Sequence, residues 1–135
     1  MSQFLGFGNG SDGTAPTSGT LSVNSPCSAS SGGTTVSNLS AGFISNVSIG
    51  DYVILHQAEG TSNIGQWEIV RVASKGASSI TTVGLIDNTY ALANSHATRV
   101  ATYTGGVVSG TIDCSAWDGS SGGVTAIMST GTLTV

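Results

Sequence analysis

The sequence predicts an all-β fold: a small β-barrel or sandwich followed by β-prism-like or β-helix-like strands. Only 7% of the 135 residues are charged, against about a quarter in typical soluble domains. The 20 glycines, with many serines and threonines, supply turn formers and β-branched residues where helix formers usually stand. Apolar residues still make up 39%, which is enough for a chain of this length to bury a core.

We expect three parts within one compact unit. A glycine-rich arm and a first strand occupy residues 1–23, a barrel or sandwich core residues 24–103, and β-prism-like or β-helix-like strands residues 104–135. In the first part, Gly6–Gly13 is dense in glycine, which tolerates positive φ, and we expect this arm to dock on a neighbouring subunit. The serine- and glycine-rich residues that follow, 24–35, predict a surface loop.

The strongest β patterns lie in the predicted core. Val47–Leu55 reads as a turn at Gly50-Asp51 followed by an apolar strand. Gln66–Ala73 predicts a strand covered on both sides, because neither of its faces is cleanly polar, and this places Trp67 in the core. A hairpin turn at residues 75–78 leads into a return strand at residues 79–83, a spacing typical of small barrels and sandwiches.

The remaining segments are less regular. Residues 88–97 form the one stretch where a helical turn is plausible, although a loop fits their Asn, Ser and Thr content equally well. Residues 107–112 and 124–135 predict strands separated by a turn. A weak repeat of the form Ser/Thr-Gly-Thr-Leu/Ile occurs at residues 18–21, 109–112 and 130–133. Such repeats are typical of β-solenoid rungs or β-prisms.

The charge balance excludes several classes of partner. Three basic residues against seven acidic ones give a net charge of −4, too few cations for a nucleic-acid interface. No apolar run approaches the roughly 20 residues of a membrane span, so we expect no membrane insertion. A surface so poor in charge resists association weakly, which favours a homo-oligomer.

No arrangement of side chains predicts catalysis, a cofactor or a metal. His56 and His96 stand alone in the sequence, outside any metal-ligand spacing, and we expect His56 to be a hydrogen-bonded structural residue. Glu59 and Glu68 could form a carboxylate pair, but a solvated loop acid and a strand-end acid explain them better. We therefore expect a protein that is not an enzyme.

Cysteines and aromatic residues supply the candidate contacts. Cys27 and Cys114 could form an intrachain disulfide, while two separate thiols or an intersubunit bridge stay open as alternatives. Aromatic faces stack on sugars and anchor interfaces. Trp117 beside its turn fits a subunit contact or a surface platform, with core packing as the alternative. The candidate interface or glycan contacts are Phe4, Phe7, Tyr103 and Trp117.

Five segments together resemble the N-terminal β-module of phage tail-fibre-like and large adhesin-like surface proteins. The segments are residues 7–13, 50–57, 65–69, 88–90 and 116–124. This resemblance implies a structural virion component on the particle or the extracellular surface, such as a tail-fibre, tail-tip or capsid decoration protein, and a trimer with other virion or surface proteins as partners. It implies no catalytic residue. The alternatives are a carbohydrate-binding adhesin module for host-surface glycans and an extracellular filament subunit that assembles by strand exchange.

Overall fold

The all-β fold class is confirmed by the structure, a computed structural model that describes residues 8–135. The predicted contacts Phe4 and Phe7 lie outside the described residues. One short helix, α1, spans Ala41–Asn46. The strands are β1 (Gly19–Thr20), β2 (Asn24–Pro26), β3 (Ser28–Ala29), β4 (Thr35–Ser37), β5 (Tyr52–Gln57), β6 (Trp67–Lys75), β7 (Ile80–Thr82), β8 (Ser95–Arg99), β9 (Ala101–Tyr103), β10 (Gly106–Val107), β11 (Ile112–Asp113), β12 (Ile127–Ser129) and β13 (Leu133–Thr134).

Seven strands form one antiparallel sheet that curls into a half-barrel, in the order β2-β8-β5-β6-β7-β4-β3. Because side chains alternate along a strand, one face of the sheet carries the main core. Val53, Leu55, Val70 and Val72 lie on this inner face and are fully buried. The predicted turn at Gly50 and the β6–β7 hairpin are both present, the latter closed by a hydrogen bond from the amide of Gly76.

Residues 24–35 are not the surface loop that their composition predicts. Three short strands begin within these residues. β2 lies at one edge of the sheet, and β3 and β4 lie at the other. Cys27, between β2 and β3, is completely buried in the main core. The prediction failed because Ser, Pro and Cys carry no alternating pattern, and because β2 and β4 pair with β8 and β7, which are distant in sequence.

The helix lies outside residues 88–97, for which the sequence leaves a helical turn and a loop as alternatives. Residues 88–97 contain turns and the start of β8, whereas α1 covers one end of the core with its buried Phe43. The hydroxyl of Ser40 accepts a hydrogen bond from the amide of Phe43 and so caps the first turn. At the other end, the ammonium of Lys75 donates to the carbonyls of Ile44 and Val47.

Three segments run parallel, side by side, beside the half-barrel. The first is far from the other two in sequence. We call residues 12–21, 101–113 and 126–134 the parallel stack. Its middle segment pairs with the first through β1–β11 and with the third through β9–β12 and β10–β13. A second core packs between them, with Ala15, Ala101 and Tyr103 buried and Leu133 partly buried.

The stack bears on two predictions. Parallel pairing of successive segments is the arrangement of β-helix rungs, which accords with the predicted tail. The repeated tetrapeptides lie on neighbouring segments but out of register: Gly19 pairs with Ile112 rather than with Gly110, and Leu133 pairs with Gly106. The domain boundaries at residues 23 and 103 stay a prediction.

The described part of the glycine-rich arm, residues 8–13, docks on its own chain, and the expected contact with a neighbouring subunit stays a prediction. Asp12 accepts a hydrogen bond from the amide of Thr102 and pairs with Arg99, each at 2.7 Å. Asn9 accepts from the hydroxyl of Thr102 and from the amide of Ser11. The arm's polar side chains therefore find partners where β8 leaves the sheet and β9 begins.

Candidate binding surface

The outer face of the half-barrel brings together polar and aromatic residues that the sequence keeps far apart. Residues directly opposite each other on antiparallel strands share a face. His56 on β5 is opposite His96 on β8 and, on its other side, opposite Trp67 on β6. Pro26 on β2 is in turn opposite His96. Four neighbouring strands thus place two imidazoles and an indole in one row.

Trp117 completes this surface from the loop after β11. Its ring lies 5.7 Å from that of His96, and the two histidine rings are 5.2 Å apart at an angle of 73°. Trp117 is 42% exposed and Trp67 is 56% exposed, whereas His96 is only 1% exposed. We call His56, His96, Trp67 and Trp117 the imidazole–indole surface: two half-exposed indoles with a half-buried and a buried imidazole.

Several buried polar atoms on this face have no hydrogen-bond partner among the described residues. They are His56 Nδ1, both ring nitrogens of His96, Thr98 Oγ1 and Asn24 Nδ2. Thr98 is two residues from His96 on β8, so its side chain lies on the same face. Asn24 on β2 is opposite Thr98 and shares this face. Buried polar groups are nearly always satisfied by protein, water or a bound group, which makes this cluster the candidate binding site on the described face.

Electrostatics keep the buried imidazole neutral. Burial lowers the pKa of His96 below its usual value and the nearby His56 lowers it further, while the charge of Asp118 acts in the opposite direction. At neutral pH His96 is therefore an uncharged ring with one nitrogen lone pair available.

A tight turn holds Trp117 in place. Asp118 Oδ1 accepts hydrogen bonds from the amides of Ser120 and Ser121, which lower the pKa of the Asp118 carboxyl. Gly122 has a φ of 109°, and a Cβ at this position would lie 2.3 Å from the carbonyl oxygen of Ala116. Only glycine fits at position 122. The position of Trp117 therefore depends on this turn, which Asp118 and Gly122 stabilise.

The structure separates the two cysteines. Cys27 is buried in the main core, Cys114 is exposed, and both are free thiols. The predicted intrachain disulfide is absent, because one sulfur is enclosed by the sheet and the other lies at the surface. Burial also raises the pKa of Cys27 to about 12, so its thiol is unreactive at neutral pH. Cys114 is the exposed cysteine and the one that another subunit could reach.

Two aromatic predictions are corrected and one remains. Tyr103, a predicted contact, is only 6% exposed and belongs to the core of the parallel stack. Trp67, predicted in the core, is exposed because it lies on the outer face with His56. Trp117 has the exposure that a contact needs, and its role stays a prediction.

Of the two acids in the candidate carboxylate pair, Glu68 has a structural role. Glu68 is a strand-end acid, at the start of β6, but it is only 1% exposed, and its two oxygens accept hydrogen bonds from the amides of Asp87 and Asn88, both at 2.9 Å. Glu59 is exposed, as expected. Within residues 8–135, no group of three or more His, Cys, Asp or Glu side chains is close enough to hold a metal ion.

A separate cavity of about 350 Å³ lies beside β3 and β4. Most of its lining residues are serines and threonines, among them Ser28, Thr35 and Thr89, with Tyr90 at one side. None of the lining residues within the described part of the chain carries a charged side chain.

The sequence contains no local pattern that predicts the histidine pair. His56 and His96 lie on strands that are neighbours in the sheet but separated in the chain by β6 and β7. They could have been found only from the register of β5 against β8. The expected hydrogen bond of His56 is also missing at Nδ1.

No family model matches the chain, and no curated protein is matched. Three solved structures that it resembles are phage tailspikes. Pseudomonas phage phi297 tailspike gp61 is 16% identical over 76% of this chain and 21% of its own, with a TM-score of 0.44. Pseudomonas phage LKA1 tailspike gp49 is 14% identical over 69% and 19%, with a TM-score of 0.42. The Gp54 tailspike of Acinetobacter baumannii bacteriophage AP22, solved in complex with A. baumannii capsular saccharide, is 12% identical over 87% and 22%, with a TM-score of 0.46. The chain thus spans about a fifth of each tailspike. In the part of the chain that the structure describes, no helix has the length and apolar character needed to cross a membrane.

Proposed function

We propose that this chain is a structural module of a phage virion, part of a tail fibre, tailspike or related surface assembly, that acts as a homo-oligomer. One observation carries the proposal: a surface almost free of charge that exposes large apolar side chains. Nine such side chains among the described residues are at least 42% exposed: Ile49, Ile64, Trp67, Val83, Leu85, Leu92, Val107, Trp117 and Val135. Such exposed apolar side chains are buried when subunits associate, and the few charges of this chain oppose that association only weakly.

The parallel stack supports a mechanical role. Its backbone hydrogen bonds join segments from both ends of the described chain. A pulling force on one segment would therefore be shared by the other two. The sequence resemblance supports the virion surface as the location and a trimer as the oligomer. The tailspike likenesses fall below a TM-score of 0.5, so the proposal depends on this chain's own residues. It includes no catalytic step, since Glu68 is committed to two backbone amides.

Size-exclusion chromatography with light scattering tests the oligomer across a range of protein concentrations. We expect a mass of three chains, with dissociation on dilution and little dependence on salt, because few charges are available to form the interface. Replacing the exposed Val83 and Leu85 by Thr should weaken association if the surface around these two residues is part of the interface. A monomer at millimolar concentration would contradict the proposal.

Glycan binding is a second candidate function, and the imidazole–indole surface favours it. Two half-exposed indoles can stack on sugar faces, while polar atoms between them lack partners. We expect Trp117→Ala to abolish binding to capsular or lipopolysaccharide glycans on an array while the fold is kept. Leu92→Ala, at an exposed leucine elsewhere, is the matched control. Equal binding by both variants would contradict this candidate.

The strand-exchange filament has less support. Two donors are conceivable, the N-terminal arm and the strand that ends at Val135, and residues 8–13 of the arm bind their own chain through Asp12. Deleting residues 1–13 is therefore expected to destabilise the monomer, by removing a partner of Arg99, rather than to leave it folded.

A further inference from the structure

We propose that His56 and His96 together bind a divalent transition-metal ion of the zinc, nickel and copper class on the outer face of the half-barrel. The two residues are opposite each other on neighbouring antiparallel strands, and their rings are 5.2 Å apart. Imidazole nitrogen is a preferred ligand for these metals, whereas calcium and magnesium prefer oxygen.

The separation of the two rings fits shared coordination. A zinc ion bound at about 2.1 Å by two imidazole nitrogens lies about 3.2 Å from each ring centroid, and a tetrahedral angle then separates the centroids by about 5.2 Å. The observed separation is 5.2 Å, with the ring planes at 73°. The backbone register sets this distance, because both side chains project from one pair of strands.

The missing hydrogen bonds point to the same place. Neither nitrogen of His96 has a partner although the side chain is 99% removed from solvent, and His56 Nδ1 is also buried and unpartnered. A metal-bound histidine normally donates its second ring nitrogen to another group, and the unpartnered hydroxyl of Thr98 lies on the same face. A metal ion would use the lone pairs that the two rings leave free.

Two protein ligands make an open site. Water, or a donor from a bound molecule, would complete the coordination shell, as in other sites with few protein ligands. We therefore expect micromolar affinity rather than the tight binding of a closed structural zinc site. Trp117 lies against His96, whose ring nitrogens are buried, so this half-exposed side chain would have to shift for an ion and its water to enter.

The chain offers a direct test, since His56 and His96 are its only histidines. Tag-free, metal-stripped protein carrying Cys114→Ser, which removes the exposed thiol as a competing ligand, is titrated with ZnCl₂, NiCl₂ and MgCl₂ by calorimetry. We expect one zinc or nickel ion per chain, no binding of magnesium, and at least a tenfold loss of affinity in His56→Gln.

A spectroscopic readout tests the contribution of both rings without replacing the buried His96. With one equivalent of Cu²⁺, the electron paramagnetic resonance spectrum of the folded chain should show two coordinated imidazole nitrogens, and that of His56→Gln only one. Absence of saturable binding up to 1 mM zinc, or unchanged zinc affinity in His56→Gln, would overturn the proposal and leave buried water as the partner of these rings.

Discussion

Arg99 donates a 2.7 Å hydrogen bond from Nε to Oδ2 of Asp51, a carboxylate that is almost completely buried. The same oxygen of Asp51 also accepts from the amide of Ser48. The guanidinium makes a second ion pair with Asp12, so one cation holds both the turn before β5 and the N-terminal arm. Hydrogen bonds to Asp12 and Asp51 raise the pKa of Arg99, against the effect of its burial.

Removing Arg99 is expected to cost much more stability than removing the charge of Asp12. Arg99→Met leaves Asp51 buried without its cation, a change that costs about 3–5 kcal/mol. Asp12→Asn disrupts a pair whose carboxylate is 24% exposed, and we expect a loss of about 1 kcal/mol. Urea unfolding followed by tryptophan fluorescence measures both. The double variant Arg99→Met/Asp51→Asn should recover part of the loss, and no recovery would contradict the ion-pair explanation.

Glu68→Gln is expected to lower the free energy of unfolding by about 2–3 kcal/mol, because one backbone amide would then face a side-chain NH₂ in the core. Glu59→Gln is the control, since that acid is exposed and should change stability by less than about 0.5 kcal/mol. Thermal and urea unfolding of the two variants provide the comparison. Equal effects would mean that Glu68 is solvated and available for other chemistry.

The two thiols should react very differently in the native protein. Cys114 is exposed, while Cys27 is buried with a pKa of about 12, so little of it is thiolate at pH 8. We expect iodoacetamide to add one group per native chain and two in 6 M urea, as measured by intact mass. A native protein that takes up none and is 2 Da lighter would contain the disulfide that this structure lacks.

Glycine should be essential in the parallel stack and dispensable in α1. A Cβ on Gly131 would lie 2.3 Å from the carbonyl oxygen of Thr104 on the adjacent segment, so Gly131→Ala should cost about 1–3 kcal/mol. Gly42 has open space around it within the helix, and Gly42→Ala should stabilise the protein by about 0.5–1 kcal/mol. A Gly131→Ala variant as stable as the wild type would contradict the close approach of the two segments.

Elements governed by nearby residues could be predicted from the sequence. The turn at Gly50 and the hairpin between β6 and β7 follow from glycine positions and apolar runs, and both are present. By contrast, β8 was missed because its Ser-His-Ala-Thr-Arg sequence has no apolar alternation. Four of its five residues are nevertheless buried, since β2 and β5 flank it and the Trp117 loop covers its outer face.

The candidate surface was less predictable for a related reason. Trp67 was assigned to the core because both faces of β6 look partly apolar, and only the burial of Glu68, Val70 and Val72 shows which face is inside. The pairing of His56 with His96 depends on a register between strands that share no hairpin. Trp117 was correctly placed beside a turn, but its neighbour could not be inferred.

The parallel stack also constrains the order in which the molecule can form. Thr14 pairs with Gly105 and Gly19 with Ile112, so about 90 further residues must be synthesised after residues 14–20 before these backbone groups find partners. Such long-range closure is slow compared with hairpin formation. The half-barrel, whose central hairpins are local, can therefore assemble first and serve as the template on which residues 14–20 settle last.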